Sequence, residues 1–317
     1  MIVVTGCAGF IGSHVCECLL ELNIDVIGID NLDPFYAEDI KRKNISTLLK
    51  SKKFTFLEAN ITSTETWNEV KKYNNIEGVI HLAAKAGVLP SLENPAAYID
   101  TNIVGTQKVL DFLKETGIKK MVFASSSSVY GNNVKIPFSE DDRVDNPISP
   151  YAFTKKSNEL QIHTWHHLYK IDVVCLRLFT VFGPRQRPDL AIRKFVQKIE
   201  NDQAIEMYGD GSSARDYTFI HDTVSGIMSA WNYVKNNENV YEIINLGNKN
   251  PVQLKELIAT LYEILEKTPN VIQTTMKPGD VNITFADISK AQKLLNYNPQ
   301  TSLKDGLIAF VNWSKKN

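Results

Sequence analysis

Short apolar runs punctuate the first part of the chain at Ile2 to Val4, Val26 to Ile29, Phe54 to Leu57, Val79 to Leu82, Met121 to Ala124 and Val173 to Leu178. Their length and bounding polar residues predict strands, the first of them buried on both sides. Between most of them lie longer stretches with apolar residues three or four apart, as in Ile11, Val15, Leu19 and Leu22. That is the period of a helix covering a core. Strands alternating with helices predict an α/β fold, a doubly wound parallel sheet with helices on both faces. Beyond Leu178 the alternation gives way to Pro184, Pro188, Gly209 and Gly211 and to shorter helical stretches, which predicts a smaller C-terminal lobe. There is no internal repeat and no low-complexity tract.

A sheet of this kind holds its ligand beyond the carboxyl ends of its strands. Gly6 to Gly12, Asp30, Asn60, Ala83 and Ser126 each follow a predicted strand, so residues far apart in sequence are expected to converge on one edge.

Composition narrows the partners. With 317 residues, 43% of them hydrophobic, the chain has material for a substantial core. The formal net charge of -1 offers no general attraction to nucleic acid or to an anionic membrane, and Lys41, Arg42 and Lys43 are expected on a solvated helix face. No apolar stretch approaches the ~20 residues needed to span a bilayer. The first strand starts at residue 2, leaving no room for a leader, so a cytoplasmic location is expected. Cys7, Cys16, Cys18 and Cys175 form no C-x-x-C pair and have no histidine at zinc spacing, which predicts reduced thiols and no metal. His163, His166 and His167 share a predicted helix without a suitably spaced acidic partner, so a packing or surface role is expected.

The start of the chain carries the first candidate chemistry. Gly6, Gly9 and Gly12 sit between a strand and a helix, with the spacing G-x-x-G-x-x-G. Glycines there permit a tight turn and close approach of backbone to a pyrophosphate, and the helix N-terminus favours its charge. Asp30 ends the next strand, where a carboxylate accepts from both ribose hydroxyls and repels a 2′-phosphate. This predicts NAD rather than NADP. The second candidate joins Ser126 to Tyr151 and Lys155. A Tyr-x-x-x-Lys spacing often arises by chance on amphipathic helices, but here it stands behind a dinucleotide loop. Positions i and i+4 share a helix face, so phenol and ammonium are expected in one pocket. A free tyrosine titrates near 10, and one cation about 4 Å away at an effective dielectric near 20 supplies most of the roughly 4 kcal/mol that separates it from neutrality. Lys155 is therefore expected to make Tyr151 a base, with Ser126 bridging phenolate and substrate. Gly-x-Ser-x-Gly is absent, so serine hydrolysis has no foothold.

With these residues the chain resembles the extended short-chain dehydrogenase/reductases, and among them the nucleotide-sugar epimerases. The resemblance spans essentially the whole chain. It includes His81-Leu-Ala-Ala84, Asn102-Ile-Val-Gly-Thr106, Gly183-Pro-Arg-Gln-Arg-Pro-Asp189, Tyr208-Gly-Asp-Gly211 with Arg215-Asp-Tyr217, Pro278-Gly-Asp-Val281, and the tail from Leu294 to Leu303. It implies an NAD-binding Rossmann domain over 1–178, with returns near 216–247 and 283–287, and a UDP-sugar-binding lobe formed by 179–215 and 248–317. It also implies that NAD is held by Gly6, Gly9, Phe10, Ile11, Gly12, Asp30, Asn31, Asn60, Ile61, Leu82, Ala83, Ala84, Asn102, Tyr151 and Lys155. Ser127, Ser128, Thr180, Arg185, Arg215, Lys277 and Asp280 are the implied substrate contacts. A homodimer through the helices near Tyr98 to Leu113 and Tyr151 to Leu168 is implied as well.

The same resemblance bears on the reaction. Sugar dehydratases of this group carry an Asp-Glu pair at the positions of Ser127 and Ser128, and the decarboxylases carry a glutamate at the second; here both are serine. What remains is oxidation and re-reduction at C4 through a 4-keto sugar. The stretch around Arg185, with Thr180, resembles the UDP-glucuronate 4-epimerases, in which the first arginine meets the sugar carboxylate. The expected activity is thus C4 epimerisation of a UDP-hexuronate. A UDP-glucose or UDP-N-acetylglucosamine 4-epimerase is the alternative, and a non-catalytic NAD-binding regulator a remote one. Three departures stand out: Asn60 and Ile61 replace an acidic adenine ligand, Leu89 an arginine, and His221 an aspartate.

Overall fold

The computed structural model describes residues 1–275 and 282–316. Twelve strands are found among them: β1 (Ile2–Thr5), β2 (Val26–Asp30), β3 (Phe54–Glu58), β4 (Gly78–His81), β5 (Lys120–Ser126), β6 (Asp172–Leu178), β7 (Thr180–Phe182), β8 (Ile205–Tyr208), β9 (Ala214–Phe219), β10 (Tyr241–Leu246), β11 (Pro251–Gln253) and β12 (Val271–Thr274). Seven form one sheet in the order β10-β6-β5-β4-β1-β2-β3. Every neighbouring pair in it is parallel. All six strands predicted from the apolar runs are present, and the sheet is the doubly wound α/β fold that their alternation with helices demands.

Burial shows why the runs are continuous rather than alternating. Val3, Val79, Met121, Phe123, Val173 and Cys175 pack on one face with Trp67, Phe112 and Leu113. Their neighbours Ile2, Val4, Ile80, Val122, Val174 and Leu176 pack on the other with Val15, Leu19 and Trp231. Successive side chains of a strand point to opposite faces, so a sheet covered twice needs apolar residues at both parities.

The smaller lobe holds a three-stranded sheet, β11-β9-β7, and the parallel pair of β12 with β8. The chain passes between the two parts more than once. Helix Ile220–Asn236 packs on the main sheet, β10 pairs with β6 at its edge, and Phe138 bridges Ala286. The buried carboxylate of Asp216 on β9 accepts the backbone N-H of Asn248 at 2.6 Å, Lys249 at 3.1 Å and Ala286 at 3.0 Å, so one side chain ties three segments.

Helix Pro150–Tyr169 carries the residues that matter most. The Ser149 hydroxyl accepts the N-H of Ala152 at 3.1 Å and proline opens the first turn, the expected start of a helix. Its orientation is set by a buried ion pair. Glu159 accepts from Arg177 Nε and Nη2 at 2.9 Å each, and both side chains are 1% exposed. Ser125 adds a hydrogen bond to the same carboxylate at 2.7 Å, and Arg177 Nη1 donates to the Tyr130 hydroxyl at 2.9 Å. Removing one partner of a buried pair leaves a charge without compensation, at a cost of about 3–5 kcal/mol. Glu159→Ala is expected to lose that much in urea unfolding. A loss under about 1 kcal/mol would mean that water reaches Arg177 in the folded chain.

Candidate active site

A cavity of about 1200 Å³ runs along the carboxyl edge of the main sheet and continues against the smaller lobe. Gly6, Gly9, Phe10, Ile11 and Gly12 line its floor. Gly6 has a φ of +73°, and a Cβ on Gly12 would stand 2.0 Å from the Gly6 carbonyl oxygen, so the turn into helix Phe10–Glu21 closes only without side chains there. Asp30 stands at the end of β2. Its Oδ2 accepts the Ala8 N-H at 3.0 Å and its Oδ1 the Leu32 N-H at 2.9 Å. Burial raises its pKa, against those hydrogen bonds and the Lys41 charge. Asn31, Asn60, Ile61, Leu82, Ala83 and Ala84 also line the cavity.

The backbone at Leu82 and Ala83 is set by a relay behind it. Thr5 Oγ1 accepts both N-H groups, at 3.2 and 3.1 Å, so its own hydrogen goes to His81 Nδ1, 2.6 Å away. His81 Nε2 is then the N-H that donates to Thr106 Oγ1 at 3.1 Å. Burial, with help from the Lys155 charge, lowers the His81 pKa to about 3. Asn102 does not line the cavity. Its amide accepts the Lys85 N-H at 2.8 Å, donates to the Lys85 carbonyl at 3.0 Å and donates to Thr154 Oγ1 at 2.9 Å.

Ser126, Ser127, Ser128, Tyr151 and Lys155 come together around the cavity. Ser126 Oγ accepts from Ser128 twice, from N-H at 3.1 Å and from Oγ-H at 2.9 Å. With both lone pairs engaged, its single hydrogen is left for an acceptor in the cavity, where the Tyr151 phenol also stands. Burial raises the Tyr151 pKa, opposed by Ser126 and by the charge of Arg187. Lys155 lines the same cavity as Tyr151. Its ammonium donates to the Ala124 carbonyl at 2.6 Å, lies 4.8 Å from the Phe123 ring centroid, and titrates at about 7 because burial outweighs Cys175 and Glu159.

Arg185, expected to meet the sugar carboxylate, is turned out of the cavity. Its backbone is left-handed, with a φ of 65°, and its guanidinium donates to Ser13 Oγ at 3.2 Å and to Glu17 at 2.6 Å on helix Phe10–Glu21. Arg187 lines the cavity instead, held by Asp189 at 2.9 and 2.6 Å and by the Ala86 carbonyl at 3.3 Å. Sequence spacing missed it, because two arginines one residue apart offer no sign of which faces inward. Thr180 and Arg215 line the cavity on the lobe side, whereas Lys277 and Asp280 lie outside the described residues. Leu89 is on the rim and 47% exposed. His221 packs against Phe219 and His14, and the Asp222 that follows it accepts from the backbone of Gln300 and Thr301. His163 and His166 pack on Tyr241, and no group that could hold a metal ion exists among the described residues.

The family model for GDP-mannose 4,6 dehydratase matches residues 3–309. A UDP-glucuronate 4-epimerase of Thermodesulfobacterium geofontis is 44% identical over 99% of this chain and 96% of its own. The solved structure of a UDP-glucuronic acid 4-epimerase from Bacillus cereus, in complex with UDP-glucuronic acid and NAD, superposes with a TM-score of 0.93 at 37% identity, covering 99% of both chains. A UDP-glucose 4-epimerase with UDP-glucose from Thermotoga maritima gives 0.90 at 32% identity, over 99% of this chain and 98% of that one.

His81 and His14 make the fold sensitive to acid. Both are depressed by burial, His81 to about 3 and His14 to about 4, with Arg185 adding to the effect on His14. A free histidine titrates near 6.5, so below that pH the unfolded chain binds protons that the folded chain refuses. Stability is expected to fall as pH drops from about 6.5 toward 4. Urea midpoints at pH 7 and pH 5 check this, and His14→Gln should flatten the difference; an unchanged slope would mean that His14 titrates freely in the folded chain.

Proposed function

The chain belongs to the GDP-mannose 4,6 dehydratase family of extended short-chain dehydrogenase/reductases, and from that premise we propose that it is an NAD-dependent epimerase acting at C4 of a UDP-hexuronate, interconverting UDP-glucuronate and UDP-galacturonate. One observation carries the substrate: Arg187 lines the same cavity as Tyr151, and the 126–128 turn there offers hydroxyls rather than carboxylates. A sugar bearing a carboxylate next to the reacting carbon suits that pair.

The residues present fit NAD. The glycine turn leaves room that a single Cβ would fill, and each Asp30 oxygen accepts one backbone N-H with a lone pair left for a ribose hydroxyl. NAD bound along this edge supplies reversible hydride acceptance from C4, and its oxidised form adds a positive charge that favours the phenolate. Tyr151 takes the proton of the sugar 4-hydroxyl as the 4-keto sugar forms and returns it after the sugar has turned about its diphosphate linkage. Ser126, its oxygen saturated by Ser128, has one hydrogen to share between phenolate and substrate oxygen. Lys155, its ammonium on the Ala124 carbonyl and its pKa pushed down to about 7 by burial, adds positive charge at the strand end when protonated. Asp189 and Ala86 engage Arg187 Nε and Nη2 and leave its Nη1 donors for the substrate carboxylate. Dehydration would need an acid and a base at positions 127 and 128, which are serine. Thr180, Ser127, Ser128 and Arg215 are proposed as further substrate contacts.

We also propose a cytoplasmic homodimer. Phe153, Leu160 and Leu168 are exposed on helix Pro150–Tyr169, as are Ile99 and Val104 on the neighbouring segment Ile99–Val104, and pairing these helices with a second copy would bury them. The four cysteines are unpaired, which suits a reducing compartment. No helix among the described residues is long and apolar enough to cross a membrane.

Incubation with each UDP-sugar and separation of the products tests the reading; conversion of UDP-glucose but not UDP-glucuronate would overturn it. Tyr151→Phe is expected to lower turnover by roughly 10²- to 10⁴-fold. Arg187→Ala should reduce kcat/KM for UDP-glucuronate roughly ten- to a hundredfold while sparing any UDP-glucose activity, the value of one charge-assisted bond. Arg185→Ala should show no such substrate bias; a bias there and none at Arg187 would return the carboxylate to Arg185.

A further inference from the structure

An ion pair crosses the mouth of the cavity without a part in the chemistry above. Asp33 lies in the loop after β2 and Lys85 in the loop after β4, and β2 and β4 are the two neighbours of β1 in the sheet. A bond between those loops therefore spans the exit of β1, where Gly6 to Gly12 form the pyrophosphate cradle. Lys85 Nζ donates to Asp33 Oδ2 at 2.8 Å, with side chains 25% and 29% exposed, and both residues line the cavity.

Both ends of the bridge are anchored, unlike an ordinary surface pair. The Lys85 backbone is gripped on both sides by the amide of Asn102, which is 1% exposed and donates to Thr154 between Tyr151 and Lys155. On the other bank Lys41 donates to the Asp33 carbonyl, its ammonium 4.5 Å from the Tyr36 ring centroid. Exposed pairs contribute little largely because two long side chains must be ordered to make them; here the backbones that carry both side chains are already held, which lowers the cost of bringing the two together. A dinucleotide reaching from Asp30 at the end of β2 to Ser126 at the end of β5 would run in the same direction as this bridge.

We propose that Asp33 and Lys85 form a clasp over the dinucleotide seat that slows release of bound NAD. The proposal rests on the epimerase reading, which demands it chemically: the cofactor reduced in the first half-reaction must still be present to be oxidised in the second, or the keto sugar is stranded.

The full chain is loaded with labelled NAD, and its release into excess unlabelled NAD is timed. Asp33→Ala and Lys85→Ala should each speed release about tenfold, and the double variant no more than either alone, since the two residues act as one bond. The exchange Asp33→Lys with Lys85→Asp should restore release to within about threefold of the parent. Circular dichroism confirms folding, and Asp33→Asn replaces Asp33→Ala should the latter not fold. Release within twofold of the parent in both single variants overturns the clasp. Faster release in Lys85→Ala alone overturns it too, because Lys85 would then be holding the dinucleotide directly. A chain that binds no NAD overturns the epimerase reading itself, whereas unaltered release from a working epimerase overturns the clasp alone.

Discussion

The pairing of Arg177 with Glu159 sets the geometry on which the site depends. Two charges taken out of water lose several kcal/mol of solvation each, and only a complete set of partners offsets that. The guanidinium fork meets the carboxylate squarely, Ser125 and Tyr130 take further positions, and Tyr130 in turn donates to Asn245 on β10. One network thus locks helix Pro150–Tyr169 against β5, β6 and β10. Glu159, Lys155 and Tyr151 lie four residues apart on one face of that helix, so fixing the rotation at Glu159 aims the other two. The face passes from a dry core at Glu159 to the cavity at Tyr151.

Hydroxyl groups finish what the ion pair begins. Ser126 and Thr5 each accept two hydrogen bonds, which leaves each with one hydrogen and one direction to send it. In Thr5 that direction is the buried imidazole behind the β4 exit; in Ser126 the hydrogen is left for the cavity that Tyr151 also lines. A hydroxyl with free lone pairs would rotate among partners, whereas these two are set before any ligand arrives, the preorganisation that catalysis by hydrogen bonding requires.

The smaller lobe shares one continuous apolar cluster with the main sheet and is tied to it by backbone hydrogen bonds as well. Asp216 gathers three segments of chain with one carboxylate, and isolated bridges join Ala214 to Ile283 and Phe138 to Ala286 beside it. The cavity owes its second wall to this arrangement, since Thr180 and Arg215 reach it from strands outside the main sheet. Arg187 reaches it from the loop between β7 and helix Ala191–Glu200.

Much of the molecule is legible in local pattern. Strand and helix periods are properties of consecutive residues, so the six strands, the glycine turn, Asp30, and the convergence of Ser126 with Tyr151 and Lys155 could all be read from spacing together with the rule that strand ends meet at one edge. Contacts between distant segments have no such period. The left-handed backbone at Arg185 sends that side chain to Glu17 and brings Arg187 inward; the Lys155 ammonium donates to a carbonyl of β5; Asn102 holds the Lys85 loop instead of facing the cavity; and β10 takes the open edge of β6. Each was decided by which partner lay within hydrogen-bonding reach after folding, a matter of three-dimensional packing that spacing along the chain does not contain.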